Sequence, residues 1–187
     1  SMSILFTAVF SGLEVIWDRQ FGFLKETMVA PISRTEIMVG KTLGGASIAM
    51  IQGLIVLSLT YVLGFRIPSL TSFVLGLFFM FLIAIFFTGL GLTIASKMKD
   101  MHGFQLIMNF LIMPIFFLSG ALFPLENLPK TIYFISRVDP LTYGVDGLRG
   151  TIAGMSAFGV YNDLAVIGLL SVLVCMIGAL LFSKIEA

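Results

Sequence analysis

His102 and Cys175 are the only histidine and the only cysteine in the chain. A zinc centre needs several such ligands, so one chain cannot build a His/Cys site from these two. Cys175 lies alone within an apolar run, which excludes an internal disulfide. Ser, His and Asp are all present, but no spacing gathers them around His102, which sits beside "KMKD" as a turn residue. Neither a triad nor a metal site is expected. The run Gly40-Lys41-Thr42 resembles the end of a phosphate-binding loop, a motif that needs another glycine five residues before Gly40. Position 35 is Thr, and no strand precedes it. The chain therefore reads as a non-enzyme with no cofactor of its own. Net charge is +1, and nothing points to a nucleic-acid partner.

The chemistry that remains is that of a lipid solvent. Hydrophobic residues make up 58% of the chain, charged residues 11%, and mean hydropathy is +1.08. A soluble domain of this size could not cover so much apolar surface. Charges are absent from four intervals: Lys41 to Arg66, Arg66 to Lys97, Asp100 to Glu126, and Asp163 to Lys184. Each is long enough for the ~20 residues that cross a bilayer core as a helix. Strands would show short alternating segments instead.

The expected fold is all-α, a polytopic membrane bundle in one domain. Spans are expected at 1–17, 34–63, 71–96, 103–123 and 161–183, with Pro114 kinking the fourth. The first is short and carries Glu14, so it reads either as a short helix or as the second half of a span. No basic flank or cleavage site marks a signal peptide. With the Arg19–Lys41 island in the cytoplasm, Arg19, Lys25, Arg34, Lys41, Lys97, Lys99 and Lys184 fall inside, and Arg66, Lys130, Arg137 and Arg149 outside. That is the positive-inside bias.

One polar island interrupts the apolar chain. Residues 12–41 hold four of the eleven Lys/Arg and four of the ten Asp/Glu. Placed on a helix, Trp17, Phe21, Leu24 and Met28 form one apolar stripe, while Arg19, Phe23 and Glu26 share another face. Pro31 stops that helix. Ser33 and Glu36 then form a capping box for the next one. An exposed aromatic beside Arg and Glu suits a docking surface; the alternative is a surface helix that only joins two spans.

Residues 124–160 are too punctuated by Pro124, Pro129 and Pro140 to span, and too apolar for a free loop. They read either as re-entrant outer helices, which need surrounding protein or a water-filled cavity, or as an outer loop with interfacial aromatics. Asp146 and Arg149, three apart on a helix, are expected to pair. Glu14 reads as a hinge contact or an interfacial carboxylate. Gln52 and Asn109 either line a path or bond across helices.

The stretches "DRQFGFLKETMVAPISRTEIMVGK" and "FFLSGALFPLENLPKTIYFISRVDPLTYGVDGLRG" together resemble the membrane subunit (permease) of type-2 ABC exporters, near the daunorubicin-resistance branch. The matches in the island are Asp18, Arg19, Gly22, Leu24, Glu26, Pro31, Ile32, Ser33, Gly40 and Lys41. In the outer segment they are Ser119, Gly120, Pro124, Pro129, Pro140, Leu141, Tyr143, Asp146 and Arg149.

The resemblance implies six spans, of which five are visible with the first incomplete. It implies that residues 18–32 form a coupling helix docked on a separate ATP-binding subunit through Arg19, Phe21, Phe23, Leu24, Lys25, Glu26 and Pro31. ATP and magnesium would bind in that partner. Two copies of the membrane subunit would form the pathway in a prokaryotic cytoplasmic (inner) membrane, capped by the outer motif. The expected activity is ATP-driven export of an apolar or amphipathic substrate: a drug, a lipid or a lipid-linked saccharide. The alternative is a membrane assembly or scaffold protein that binds another cytosolic partner through residues 18–32.

Overall fold

Helices, and no strand, are formed by the described residues (1–23, 26, 31–122 and 130–183) in a computed structural model. In chain order they are α1 (Met2–Phe10), α2 (Gly12–Gln20), α3 (Arg34–Val62), α4 (Leu70–Ala95), α5 (Met101–Leu118), α6 (Lys130–Ser136), α7 (Pro140–Ala153) and α8 (Val160–Phe182). Helices α3, α4, α5 and α8 are long and apolar enough to cross a membrane. The expected first span is the α1–α2 pair.

Short polar side chains set where these helices begin. The Ser33 hydroxyl accepts the Glu36 N–H at 3.2 Å, and the Glu36 carboxylate accepts the Ser33 N–H at 2.6 Å. This is the capping box expected before α3. Ser69 accepts the Ser72 N–H, Asp100 that of Gly103 and Asp139 that of Leu141, at the starts of α4, α5 and α7. Each cap satisfies a backbone donor that the helix itself leaves free.

Helix α4 is the hub. It packs against α1, α2, α3, α7 and α8, and buries Phe79, Ile83, Phe86, Phe87 and Leu92 among them. Helix α1 crosses it at close range. A side-chain carbon on Gly91 would collide with the carbonyl oxygen of Val9, and one on Gly12 would lie 2.6 Å from the carbonyl oxygen of Gly91. Only glycine permits this approach. Ser11, at the joint between α1 and α2, turns its hydroxyl onto the Ala8 carbonyl at 2.6 Å.

Large apolar side chains cover much of the exterior. On α5, Leu106 is 72% and Phe110 84% exposed; Ile51 and Leu59 on α3 and Leu169 and Leu180 on α8 also face outward. In water such a surface would aggregate; in a bilayer it meets hydrocarbon.

Three helix bounds differ from expectation. The first helical segment continues past Trp17 to Gln20 and stops at Phe21–Gly22, where Gly22 has φ +84°. A single helix over Trp17–Ala30 is therefore interrupted after one turn, because only glycine adopts that conformation without strain. Helix α5 ends at Leu118 rather than 123, where Gly120 takes φ +75°. Pro114 lies inside α5 without ending it.

Candidate functional site

The polar island gathers the ends of the long helices. Asp18, near the end of α2, meets Lys41, the eighth residue of α3, as an ion pair at 2.5 Å. Both side chains are partly buried, so water screens the pair less than an open surface pair. Next to it, Arg19 turns inward. Its Nη1 donates to the Met98 carbonyl at 3.0 Å and its Nη2 lies 3.5 Å from the Ser96 carbonyl. Gln20 Nε2 donates to the Lys99 carbonyl at 3.2 Å. These three carbonyls lie just past the C-terminus of α4, where helix carbonyls lack internal partners and a cation is favoured. Arg34, at the start of α3, donates from Nη1 to the Ser183 carbonyl beyond α8 at 2.8 Å. One short segment is thus tied to α3, to the α4–α5 turn and to the end of α8.

Beyond these ties the island presents apolar knobs. Trp17 is 54%, Phe21 66% and Phe23 58% exposed; the Trp17 and Phe21 rings lie 5.9 Å apart. Phe23 and Glu26 are helical, and Glu26, Pro31 and Ile32 are exposed. Leu24 and Lys25, also expected contacts, lie outside the described residues. A surface with aromatic anchors, mixed charge and fixed roots has the make-up of a protein-docking site.

The expected outer motif lies at the opposite end of the bundle. Asp146 is only 3% exposed and does not pair with Arg149 among the described residues. Its carboxylate accepts the N–H groups of Ala157 and Phe158 and the Ser156 hydroxyl, each at 2.9 Å. Arg149 donates from Nη2 to the Gly120 carbonyl at 2.9 Å. The two side chains tie α7 to two different loops, which corrects the expected i, i+3 pair. Tyr143 donates to the Arg137 carbonyl at 2.6 Å, and Ser136 to the Leu118 carbonyl at 2.7 Å. Pro140 opens α7 at a position where its missing N–H costs nothing. Burial pushes the Asp139 carboxyl up to about 7, with the Leu141 N–H and the Thr142 hydroxyl acting in the opposite direction. Pro124 and Pro129 lie outside the described residues. Asp163, on the first turn of α8, is fully buried; its Oδ2 lies 3.5 Å from the Ser156 hydroxyl and its Oδ1 has no partner among the described residues.

Glu14, Gln52 and Asn109 all face outward from the bundle. The expected bonds from Gln52 and Asn109 across helices are not formed within this chain among the described residues. An apolar groove of about 620 Å³ opens between α1, α3 and α5, lined by Phe6, Val56 and Phe116. Among the described residues no group of His, Cys, Asp and Glu side chains could hold a metal ion.

In the sequence Asp18 and Lys41 stand out only as motif residues, and no local pattern singles out Gln20 or Arg34 as a tie between helices. The available signal was the opposite charge of Asp18 and Lys41 at the two ends of a segment joining neighbouring spans.

The chain matches the ABC-2 type transporter family over residues 1–153. A protein of Cyanophora paradoxa named as transport permease ycf38 is 31% identical over 140 residues, covering 74% of this chain and 48% of that protein. The Escherichia coli K12 protein named "Probable multidrug ABC transporter permease YbhR" is 27% identical over 138 residues, 74% of this chain and 37% of that protein. The inner membrane transport permease YadH of the same strain is 26% identical over 157 residues, 83% and 58%. The chain thus spans about half the length of the curated relatives it matches. A bundle of apolar helices carrying a polar, knob-bearing segment at one end, matched to this family over most of its length, belongs to the ABC-2 type transporter membrane family.

Proposed function

We propose that this chain is the membrane-spanning part of an ATP-driven exporter. Its island docks on a separate ATP-binding subunit that holds ATP and magnesium. The observation that carries this reading is the pairing of exposed Trp17, Phe21 and Phe23 with roots tied to α3, to the α4–α5 turn and to α8. Knobs on a loose loop would move alone; knobs on tied roots pass displacement to the spans. Phe21, Phe23, Glu26 and Pro31 are the proposed contacts among the described residues, with Leu24 and Lys25 between them. The island then faces the cytoplasm, and the Asp139–Asp163 region lies on the outer side.

A second copy of the chain completes the pathway. Gln52 and Asn109 support this, since amides turned outward from apolar helices lose hydrogen bonds if they meet only hydrocarbon. The substrate is apolar or amphipathic, in keeping with the groove lined by Phe6, Val56 and Phe116 and with the multidrug name of one relative. The inner-membrane name of another supports a prokaryotic cytoplasmic membrane.

The test is co-purification of the full-length subunit with its ATP-binding subunit, with ATP turnover measured in the complex. Phe23→Ala with Glu26→Ala is expected to weaken association at least tenfold while the membrane subunit itself still folds. Undiminished association and turnover would show that the island is not the docking surface.

A further inference from the structure

Arg19 lies within the docking segment, yet its guanidinium is turned away from the exposed knobs. It is partly buried, with its Nε shielded and unpartnered among the described residues, and its Nη atoms face the Met98 and Ser96 carbonyls. Gln20 reaches the next carbonyl along, that of Lys99. A residue evolved to meet a partner protein would present its donors outward. This one presents them to the strip of backbone that joins α4 to α5.

That strip has two unequal sides. Helix α4 is wedged among α1, α2, α3, α7 and α8, and its Gly91 meets Val9 of α1 and Gly12 of α2 backbone to backbone. Helix α5 begins at Met101, directly after the clasped segment. It buries only Phe104, Met108, Ile112 and Phe116, and turns Gln105, Leu106, Asn109, Phe110, Met113 and Phe117 outward. Displacement of the end of α2, delivered to residues 96–99, meets a fixed hub on one side and a thinly packed helix on the other. The helix that yields is α5.

We infer that Arg19, supported by Gln20, is a transmission strut rather than a docking residue: it carries movement of the island to α5 through the backbone carbonyls of residues 96–99. This rests on the proposed function and adds which helix responds and which side chains drive it. Arg19 is a positioning residue in this role and touches neither nucleotide nor substrate. Arginine suits the task because its planar, permanently charged fork holds two carbonyls at once, whereas lysine offers a single flexible point charge.

The experiment uses the full-length subunit in complex with its ATP-binding subunit, with Cys175→Ser as background. Single cysteines at Leu106→Cys on α5 and Leu43→Cys on α3, both on outward faces within three turns of the start of their helices, are labelled with a small, membrane-permeant fluorescent maleimide. Rates are compared without nucleotide and with ATP plus orthovanadate. In the parent complex the rate at 106 is expected to change severalfold on adding nucleotide. Arg19→Ala is expected to keep the ATP-binding subunit bound and to keep any change at 43, while the change at 106 falls below twofold. Arg19→Lys restores part of it, and the milder Gln20→Ala, which leaves both arginine contacts in place, gives an intermediate loss. A full change at 106 in Arg19→Ala overturns the inference. So does loss of the bound ATP-binding subunit in a folded Arg19→Ala, which would return Arg19 to the docking surface. Should Arg19→Ala fail to fold, Arg19→Lys and Gln20→Ala decide: an undiminished change at 106 in both overturns it. A parent response at 43 alone overturns the inference and leaves the proposed function standing, whereas no response at either position overturns both.

Discussion

Asp146 and Arg149 offer a quantitative test of how the outer end of the bundle is held. Asp146→Ala removes an acceptor used by two backbone N–H groups and one hydroxyl, each at 2.9 Å. Hydrogen bonds to a charged group contribute ~1.5–3 kcal/mol each. The donors lie in a partly exposed loop, where water replaces some of the loss, so the net cost is about 2–4 kcal/mol. Asp146→Asn keeps one acceptor and is expected to cost about half as much. Arg149→Ala frees only the Gly120 carbonyl and costs ~1–2 kcal/mol. Because the two side chains serve different loops, the double variant is expected to show a coupling energy under ~0.5 kcal/mol. The assay is unfolding of the purified subunit in mixed micelles, titrated with sodium dodecyl sulfate and followed by circular dichroism, for the four members of the cycle. A coupling above ~1 kcal/mol, the signature of a mutual ion pair, would refute the reasoning.

Asp139 links stability to pH. Its folded carboxyl is raised from 3.8 to about 7, so the folded state binds the proton more tightly than the unfolded state. The associated stability is full below pH ~4 and is lost as pH rises through ~7, a difference approaching ~4 kcal/mol at most. Asp139→Asn keeps a capping acceptor and is expected to flatten that slope in melting temperature between about pH 4 and 7. Asp163→Asn removes a buried carboxylate with one unpartnered oxygen close to Asp146, and is expected to stabilise the subunit by ~1–2 kcal/mol in the same micelle titration. Gly91→Ala drives a carbon into the Val9 carbonyl and is expected to cost ~2–3 kcal/mol. Gly44→Ala, with nothing within 4 Å, is expected to be neutral or to gain up to ~1 kcal/mol from helix propensity. Equal effects at positions 44 and 91 would refute the crossing.

What could be read from the residues was local. Four charge-free runs located the long helices, because a helix in lipid must be apolar along its whole length. Ser33 and Glu36 located the start of α3, because a capping box involves side chains three apart. The island was visible as a cluster of charges, but its internal geometry was not. The stripe through Trp17, Phe21, Leu24 and Met28 assumed an unbroken helical period, which Gly22 at φ +84° interrupts. The partners of Asp18, Arg19 and Arg34 lie far away in sequence, so no local pattern announces them. Asp146 was assigned to Arg149 by proximity along the helix, whereas backbone donors eleven and twelve residues on were better placed. Gln52 and Asn109 were known to be polar; which way they point depends on how α3 and α5 pack.

The meeting of Val9, Gly12 and Gly91 has a mechanical consequence. Interlocked side chains act as teeth and resist rolling, whereas backbone resting on backbone offers a smooth bearing. The bearing sits at the middle of the α1–α2 rod, with nine residues in each half. At 1.5 Å per residue each half is about 13 Å long. Were α1 and α2 to tilt about that contact as one rigid rod, its two tips would move by similar amounts in opposite directions, against the side chains of Ile4 and Leu5 that seat the α1 half in the core.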